Sequence, residues 1–190
     1  MVQALEQKTQ SRKKQRPEIA DEVTIPENIQ VSLNGSIISV KGPKGELKRD
    51  FAYPDVSITR SGDKIVFKSA NGVKKEKAVV GSSVAHMNNM FKGVTTGFKY
   101  KLKIVFSHFP VTTKIVGTHL EISNYLGEKF PRCAEIVPGV KVIAGKDEIV
   151  VEGIDVEKVG QTAANLERAT RVSYKDPRVF QDGVYLISRD

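Results

Sequence analysis

The chain has no tryptophan, a single cysteine and few aromatic residues, 7% in all. A core made from it is mostly aliphatic. One cysteine, Cys133, excludes an internal disulfide and a cysteine-based zinc site. It is expected to pack as a small hydrophobe, in a reducing, intracellular setting. No stretch approaches the ~20 consecutive apolar residues that a membrane-spanning helix needs, so no membrane partner is expected. The N-terminus has no apolar stretch of signal type, and Glu6, Glu18, Asp21 and Glu22 are unlike an acid-poor transit peptide. Signatures of chemistry are missing as well. Gly42-Pro43-Lys44-Gly45 lacks the spacing and trailing Lys-Ser/Thr of a phosphate-binding P-loop. His86, His108 and His119 have no metal-ligand spacing, and no Gly-x-Ser-x-Gly elbow occurs. Asp147 and Glu148 are neighbours that point to opposite faces of a strand and cannot act as a pair. Catalysis, a metal and a cofactor are therefore not expected.

What the chain has is repetition and positive charge. Of its 190 residues, 39% are hydrophobic and 27% charged, which suits a globular protein of one large or two small domains. Residues 28–91 and 110–170 read as two copies of one design. Ile38 and Val40 match Leu120 and Ile122, Gly45-Glu46 match Gly127-Glu128, and Val56 and Ile58 match Val140 and Val142. Asp63, Ile65 and Val66 match Asp147, Ile149 and Val150. The helical stripes agree in register, Val80, Val84, Met87 and Phe91 against Val159, Ala163, Leu166 and Thr170. A repeat this long exceeds the ~20–50 residues of a solenoid unit and implies two homologous domains, each with its own core. The expected class is α+β: two tandem domains, each a small, mostly antiparallel sheet against one helix.

Local signals place the elements. Residues 1–24 read as a basic tail, disordered or RNA-contacting, ahead of a first repeat over 25–105 and a second repeat with a C-terminal extension over 106–190. Asn34-Gly35 predicts a type I′ hairpin. A helix is predicted from Ala78 to Phe91, closed by Gly93, and another from an N-cap at Asp155 through Arg171. Asp176-Pro177 resembles a further helix start, and Val184 to Ile187 a final strand. In the segment Phe98 to Phe106, Phe98, Tyr100, Leu102, Ile104 and Phe106 share one face of a strand while Lys99, Lys101 and Lys103 share the other. Such a lysine comb fits contact with phosphates, or the protection of an edge strand that joins the two repeats.

The net charge of +8 is unevenly spread. Residues 1–24 carry five basic and four acidic side chains, residues 25–105 fourteen and six, and residues 106–190 eleven and twelve. The excess falls in the first repeat as bounded above. A basic surface suits a polyanion. The tail run around Arg12, Lys13, Lys14 and Arg16 fits a nucleic-acid-contacting arm or a solvated appendage equally. An adaptor that docks an acidic protein is the alternative of a different class.

Several strings resemble the universal large-subunit ribosomal protein family called L-six in bacteria and L-nine in eukaryotes. They are Val40-Lys41-Gly42-Pro43-Lys44-Gly45-Glu46-Leu47, Met90-Phe91-Lys92-Gly93-Val94-Thr95-Thr96-Gly97-Phe98-Lys99-Tyr100-Lys101, Ser107-His108-Phe109-Pro110, the run from Glu121 to Lys129, and Asp182-Gly183-Val184-Tyr185. Asn124-Tyr125-Leu126-Gly127-Glu128-Lys129 and Lys175-Asp176-Pro177-Arg178 resemble the archaeal and eukaryotic branch. The resemblance implies two repeated α+β domains, no catalysis, and binding to large-subunit rRNA near the stalk base and the sarcin–ricin loop. Neighbouring ribosomal proteins and translation factors would lie close by, on the cytoplasmic ribosome. By motif it implies RNA contacts at Lys41, Lys44, Lys92, Lys99, Lys101, Asn124, Lys129, Arg132, Lys175 and Arg178; the strand pattern adds Lys103. Eukaryotic members carry a Trp-bearing segment before the first helix, where this chain has the shorter run Ser69 to Lys75.

Overall fold

The computed structural model describes residues 18–69, 72–176 and 178–190. Its described residues divide into two compact units, one formed from within 18–40 and 48–91, the other from within 41–47 and 92–190. In chain order the elements are β1 (Ile19–Thr24), β2 (Gln30–Asn34), β3 (Ile37–Gly42), β4 (Gly45–Asp50), β5 (Val56–Ser61) and β6 (Lys64–Ser69), followed by helix α1 (Lys74–Thr95). Then come β7 (Phe98–Val105), β8 (Thr112–Val116), β9 (His119–Ser123), a 3-10 turn (Tyr125–Gly127), β10 (Arg132–Glu135), β11 (Val140–Ala144), β12 (Glu148–Gly153), helix α2 (Val156–Ala169) and β13 (Gly183–Arg189).

Two sheets and a helix recur. The orders β1-β6-β5 and β2-β3-β4 are repeated as β7-β12-β11 and β8-β9-β10, and β13 is added beside β7. The duplication read from the sequence is therefore real, but its frame is shifted. β1 pairs antiparallel with β6 as β7 pairs with β12. Each repeat opens with its own first strand. Residues 19–24 are thus part of the first fold and not of a tail, and residues 98–105 open the second repeat instead of closing the first. The polar run Ile-Ala-Asp-Glu-Val-Thr hid β1, since Val23 alone of its side chains is buried. Its cohesion comes from backbone pairing with β6, which no single-strand pattern reveals.

The division into compact units, not the strand frame, reverses the charge assignment. Residues 18–40 and 48–91 carry eight basic and eight acidic side chains, while residues 41–47 and 92–190 carry seventeen and thirteen. Outside residues 1–17, the positive excess belongs to the second unit.

Other expectations change in detail. α1 begins at Lys74 and runs to Thr95, so Gly93 lies inside it. A Cβ on Gly93 would sit 2.1 Å from the Ile154 carbonyl oxygen, so this glycine serves close approach, while Gly97, at φ 73°, follows the helix end. α2 starts as expected, with the Asp155 carboxylate accepting from Glu157 N at 3.0 Å, and ends at Ala169. The β2–β3 turn is Gly35-Ser36, and only Gly35 has positive φ, 66°, the glycine placement of a type II′ turn instead of type I′. Asp176 accepts from Arg178 N at 3.0 Å in a local turn, without a helix among the described residues there. Cys133 is exposed rather than packed, because β10 turns its neighbour Ala134 inward.

The cores are aliphatic. In the first unit Ile38, Val40, Phe67, Val80 and Met87 are buried, and the Phe51 and Phe67 rings lie 5.8 Å apart. In the second, Leu102, Leu120, Ile122, Ile149, Val151, Val159, Leu166 and Tyr125 form one cluster. The helices share a further detail. Ser83 and Thr162, at the same register, are both buried and both donate to the carbonyl four residues back, Val79 O and Lys158 O, at 2.8 Å. A buried hydroxyl needs such a partner.

Candidate nucleic-acid interface

In the second unit, the β3–β4 turn, the end of α1 and the ends of β7, β11, β12 and β13 surround a cleft of about 990 Å³. Five cationic side chains line it, Lys44, Lys92, Lys99, Lys141 and Arg189, with two carboxylate residues, Glu152 and Asp190. The local sequence explains the convergence. Pro43 and Lys44 form the tight turn, and Lys44 N donates to Val94 O at 3.0 Å. Lys44 Nζ then donates to Thr96 O. It lies across the helix end, where the final carbonyls carry partial negative charge. A Cβ on Gly97 would stand 3.2 Å from that ammonium. Lys92 Nζ sits 5.4 Å from the centre of the Phe98 ring. On the sheet, Lys99 and Lys141 both register with Glu152, on either side of it. Lys99 Nζ is 3.0 Å from Glu152 Oε1. That hydrogen bond is the main cause that holds the Glu152 carboxyl below the usual carboxylate range; the charges of Lys99, Lys141 and Lys44 add to it. One ionised carboxylate thus organises several cations, and the surplus is positive.

Sequence reading anticipated Lys44, Lys92 and Lys99 but missed Lys141 and Arg189. Lys141 carried a weak signal, since it alternates with Val140 and Val142 on a strand. Arg189 carried none, because its place depends on β13 pairing beside β7.

The lysine comb is built differently from the expectation. β7 lies between β12 and β13, so it is not an edge strand. Its lysines face registered neighbours: Lys99 opposite Glu152, Lys101 opposite Val150 and Lys103 opposite Glu148. Anions within the sheet balance part of the row. Lys41 is exposed on β3, and Lys101 is only half-exposed.

The remaining expected residues lie elsewhere on the same unit. The Arg132 guanidinium grips Glu128 through two hydrogen bonds, of 2.8 and 2.6 Å. It also donates to Ala169 O at 3.0 Å and Arg171 O at 3.3 Å, and covers the Tyr125 ring at 4.5 Å. Glu128 is held below the carboxylate range by this contact. Arg132 therefore ties the β9–β10 loop to the segment after α2 and has little capacity left for a ligand. Asn124 also serves the fold. At φ 60° it starts the 3-10 turn, and it donates to Pro110 O at 3.0 Å. Lys129 is exposed. Lys175 Nζ lies 4.2 Å from the Phe180 ring centre, and Arg178 pairs with Asp176 at 2.9 Å. Arg12, Lys13, Lys14 and Arg16 fall outside the described residues. Among the described residues, no group of three or more His, Cys, Asp or Glu side chains could hold a metal ion, and no helix is long and apolar enough to cross a membrane.

A duplicated α+β scaffold with a cation-lined cleft defines a protein whose surface chemistry suits a polyanion. Comparison with known proteins narrows the class. The Ribosomal protein L6 family model matches residues 25–97 and 109–183, once per repeat. A "Large ribosomal subunit protein uL6" of Methanospirillum hungatei is 50% identical over 167 residues, covering 88% of this chain and 95% of that one. Proteins of the same description from Methanobrevibacter smithii and Aeropyrum pernix are 48% and 47% identical, over 90% of this chain and 97% and 95% of theirs. The chain belongs to the Ribosomal protein L6 family.

Proposed function

We propose that the chain is a structural constituent of the large ribosomal subunit and grips large-subunit rRNA through the cation-lined cleft of its second unit. It would sit near the stalk base and the sarcin–ricin loop, among neighbouring ribosomal proteins and beside the translation-factor site, on the cytoplasmic ribosome. The observation that carries the reading is the convergence of Lys44, Lys92, Lys99, Lys141 and Arg189 on one cleft with two carboxylate residues. Phosphates entering there release counterions, and the fixed turn and strand ends present those cations in one geometry. RNA is recognised largely by shape, phosphate and 2′-hydroxyl contacts, which such a surface supplies. Lys41, Lys101 and Lys103 would add phosphate contacts, as would the N-terminal cations Arg12, Lys13, Lys14 and Arg16. Arg132 and Asn124 act by shaping the loop that carries Lys129, and Lys175 and Arg178 would supply further phosphate contacts.

The test is binding of the full chain to a large-subunit rRNA transcript across a salt series, with chemical probing of the stalk base and the sarcin–ricin loop. A triple variant, Lys92→Ala, Lys141→Ala and Arg189→Ala, is expected to lower the slope of log K against log salt by about 0.7–0.9 for each phosphate that is no longer neutralised. An unchanged slope removes the cleft from the interface. A complex with an acidic protein that survives nuclease digestion of the RNA would favour the adaptor reading.

A further inference from the structure

The three most exposed large apolar side chains of the described residues are Phe130 at 85%, Tyr174 at 71% and Val179 at 86%; the other exposed ones reach at most 58%. A single exposed ring is ordinary, but two exposed rings on segments tied by one guanidinium make a surface that a partner can use. Each of the three is next in sequence to a cation: Lys129 beside Phe130, Lys175 beside Tyr174, Arg178 beside Val179. The loop of Phe130 and the segment of Tyr174 are also held together. Arg132, two residues after Phe130, binds Arg171 O and Ala169 O, at the start of the segment that carries Tyr174. Tyr174 lies near enough to contribute to the raised pKa of that guanidinium, behind the larger effect of Glu128. The Arg132–Glu128 fork thus fixes a loop with an outward phenyl ring to a segment with an outward phenol.

We propose that Phe130 and Tyr174 form a stacking platform for unpaired RNA bases, with Lys129, Lys175 and Arg178 holding the adjoining phosphates. This rests on the rRNA-binding reading above and goes beyond it: the cleft grips backbone, whereas this surface takes splayed-out bases. The chemistry favours a nucleotide over a protein side chain. A base has a flat face that stacks on an aromatic ring and a phosphate next to it, so it needs alternating rings and cations. Val179 adds apolar contact at the rim.

The experiment uses the full chain and a large-subunit rRNA transcript. Phe130→Ala and Tyr174→Ala are each expected to weaken binding about tenfold, within the range measured for loss of one base–aromatic stack. The salt slope should stay unchanged, because no charge is removed. Phe130→Tyr should keep the affinity, and Phe130→Leu should lose it as alanine does. Ultraviolet crosslinking should map to peptides containing Phe130 or Tyr174. Both rings are exposed, so the melting temperature should hold. Wild-type affinity in the double alanine variant overturns the proposal, as does full retention in Phe130→Leu, which would point to an apolar protein pocket. If the wild-type chain shows no salt-dependent binding to the transcript, the rRNA reading itself fails, an outcome distinct from the failure of the platform alone.

Discussion

Tyr125 illustrates how one side chain can couple three segments. Its hydroxyl lies 2.6 Å from Thr170 O and 2.8 Å from Asp182 O, fully inside the second unit. Burial pushes its phenol up to about 12. The unfolded phenol ionises near about 10. The folded state therefore holds the proton longer, so this contribution to stability is intact below pH ~10 and is lost as pH rises towards ~12. Thermal melting across that range should show the decline, and Tyr125→Phe should flatten it. At neutral pH the same substitution should cost about 1–2 kcal/mol in urea unfolding, since two buried carbonyls lose a donor. The tyrosine is visible in the sequence as part of a motif, but its two acceptors, 45 and 57 residues away, are not.

At the scale of elements, α1 contains two glycines with opposite meaning. Gly81 has nothing within 4 Å of a built Cβ, so Gly81→Ala should stabilise by about 0.5–1 kcal/mol through helix propensity alone. Gly93 meets the Ile154 carbonyl oxygen, and Gly93→Ala should destabilise by about 1–3 kcal/mol as the backbone is forced apart. Urea midpoints of the two variants should move in opposite directions. Periodicity legibly placed both helices and most strands, but it could not distinguish a glycine that ends a helix from one that lets a neighbour approach. The final strand carries a second prediction. β13 pairs with β7 across a register shift between Leu186 and Ser188, and it buries Val184. Deleting residues 183–190 should cost about 2–6 kcal/mol through the loss of Val184 and the half-buried Leu186. Hydrogen exchange should quicken at the β7 amides that bond β13 while those facing β12 stay slower.

For the whole molecule, the decisive fact is where the two compact units divide. With residues 41–47 and 92–105 assigned to it, the second unit has a surplus of four positive charges, and residues 18–40 and 48–91 have none. The salt dependence of RNA binding should follow that division. Neutralising Lys48, Lys64 and Lys68 in the first unit should leave the slope nearly unchanged, whereas Lys92, Lys141 and Arg189 should lower it. Filter binding at several salt concentrations would separate the two sets. The partial cancellation of the comb by Glu148 and Glu152 fits the same scheme: Lys103 and Lys99 each oppose a carboxylate in register, so replacing them releases an anion as well as removing a cation. Their effect on the slope should be smaller than that of Lys92 and Arg189, which have no carboxylate opposite them in register.

By itself, the amino-acid sequence determined the α+β class, the duplication, the helix stripes and the α2 N-cap, because each follows from local periodicity or from one residue beside its own helix. The strings that resemble a ribosomal family were equally legible, being contiguous. Only tertiary structure decided that Ile19–Thr24 is a strand, that β7 is central, that Lys141 and Arg189 join Lys44, Lys92 and Lys99, and that Arg132 serves the fold. Each of these depends on pairing between segments far apart in the chain. Backbone hydrogen bonds and ion pairs of that kind leave no mark on the hydrophobic pattern of either partner.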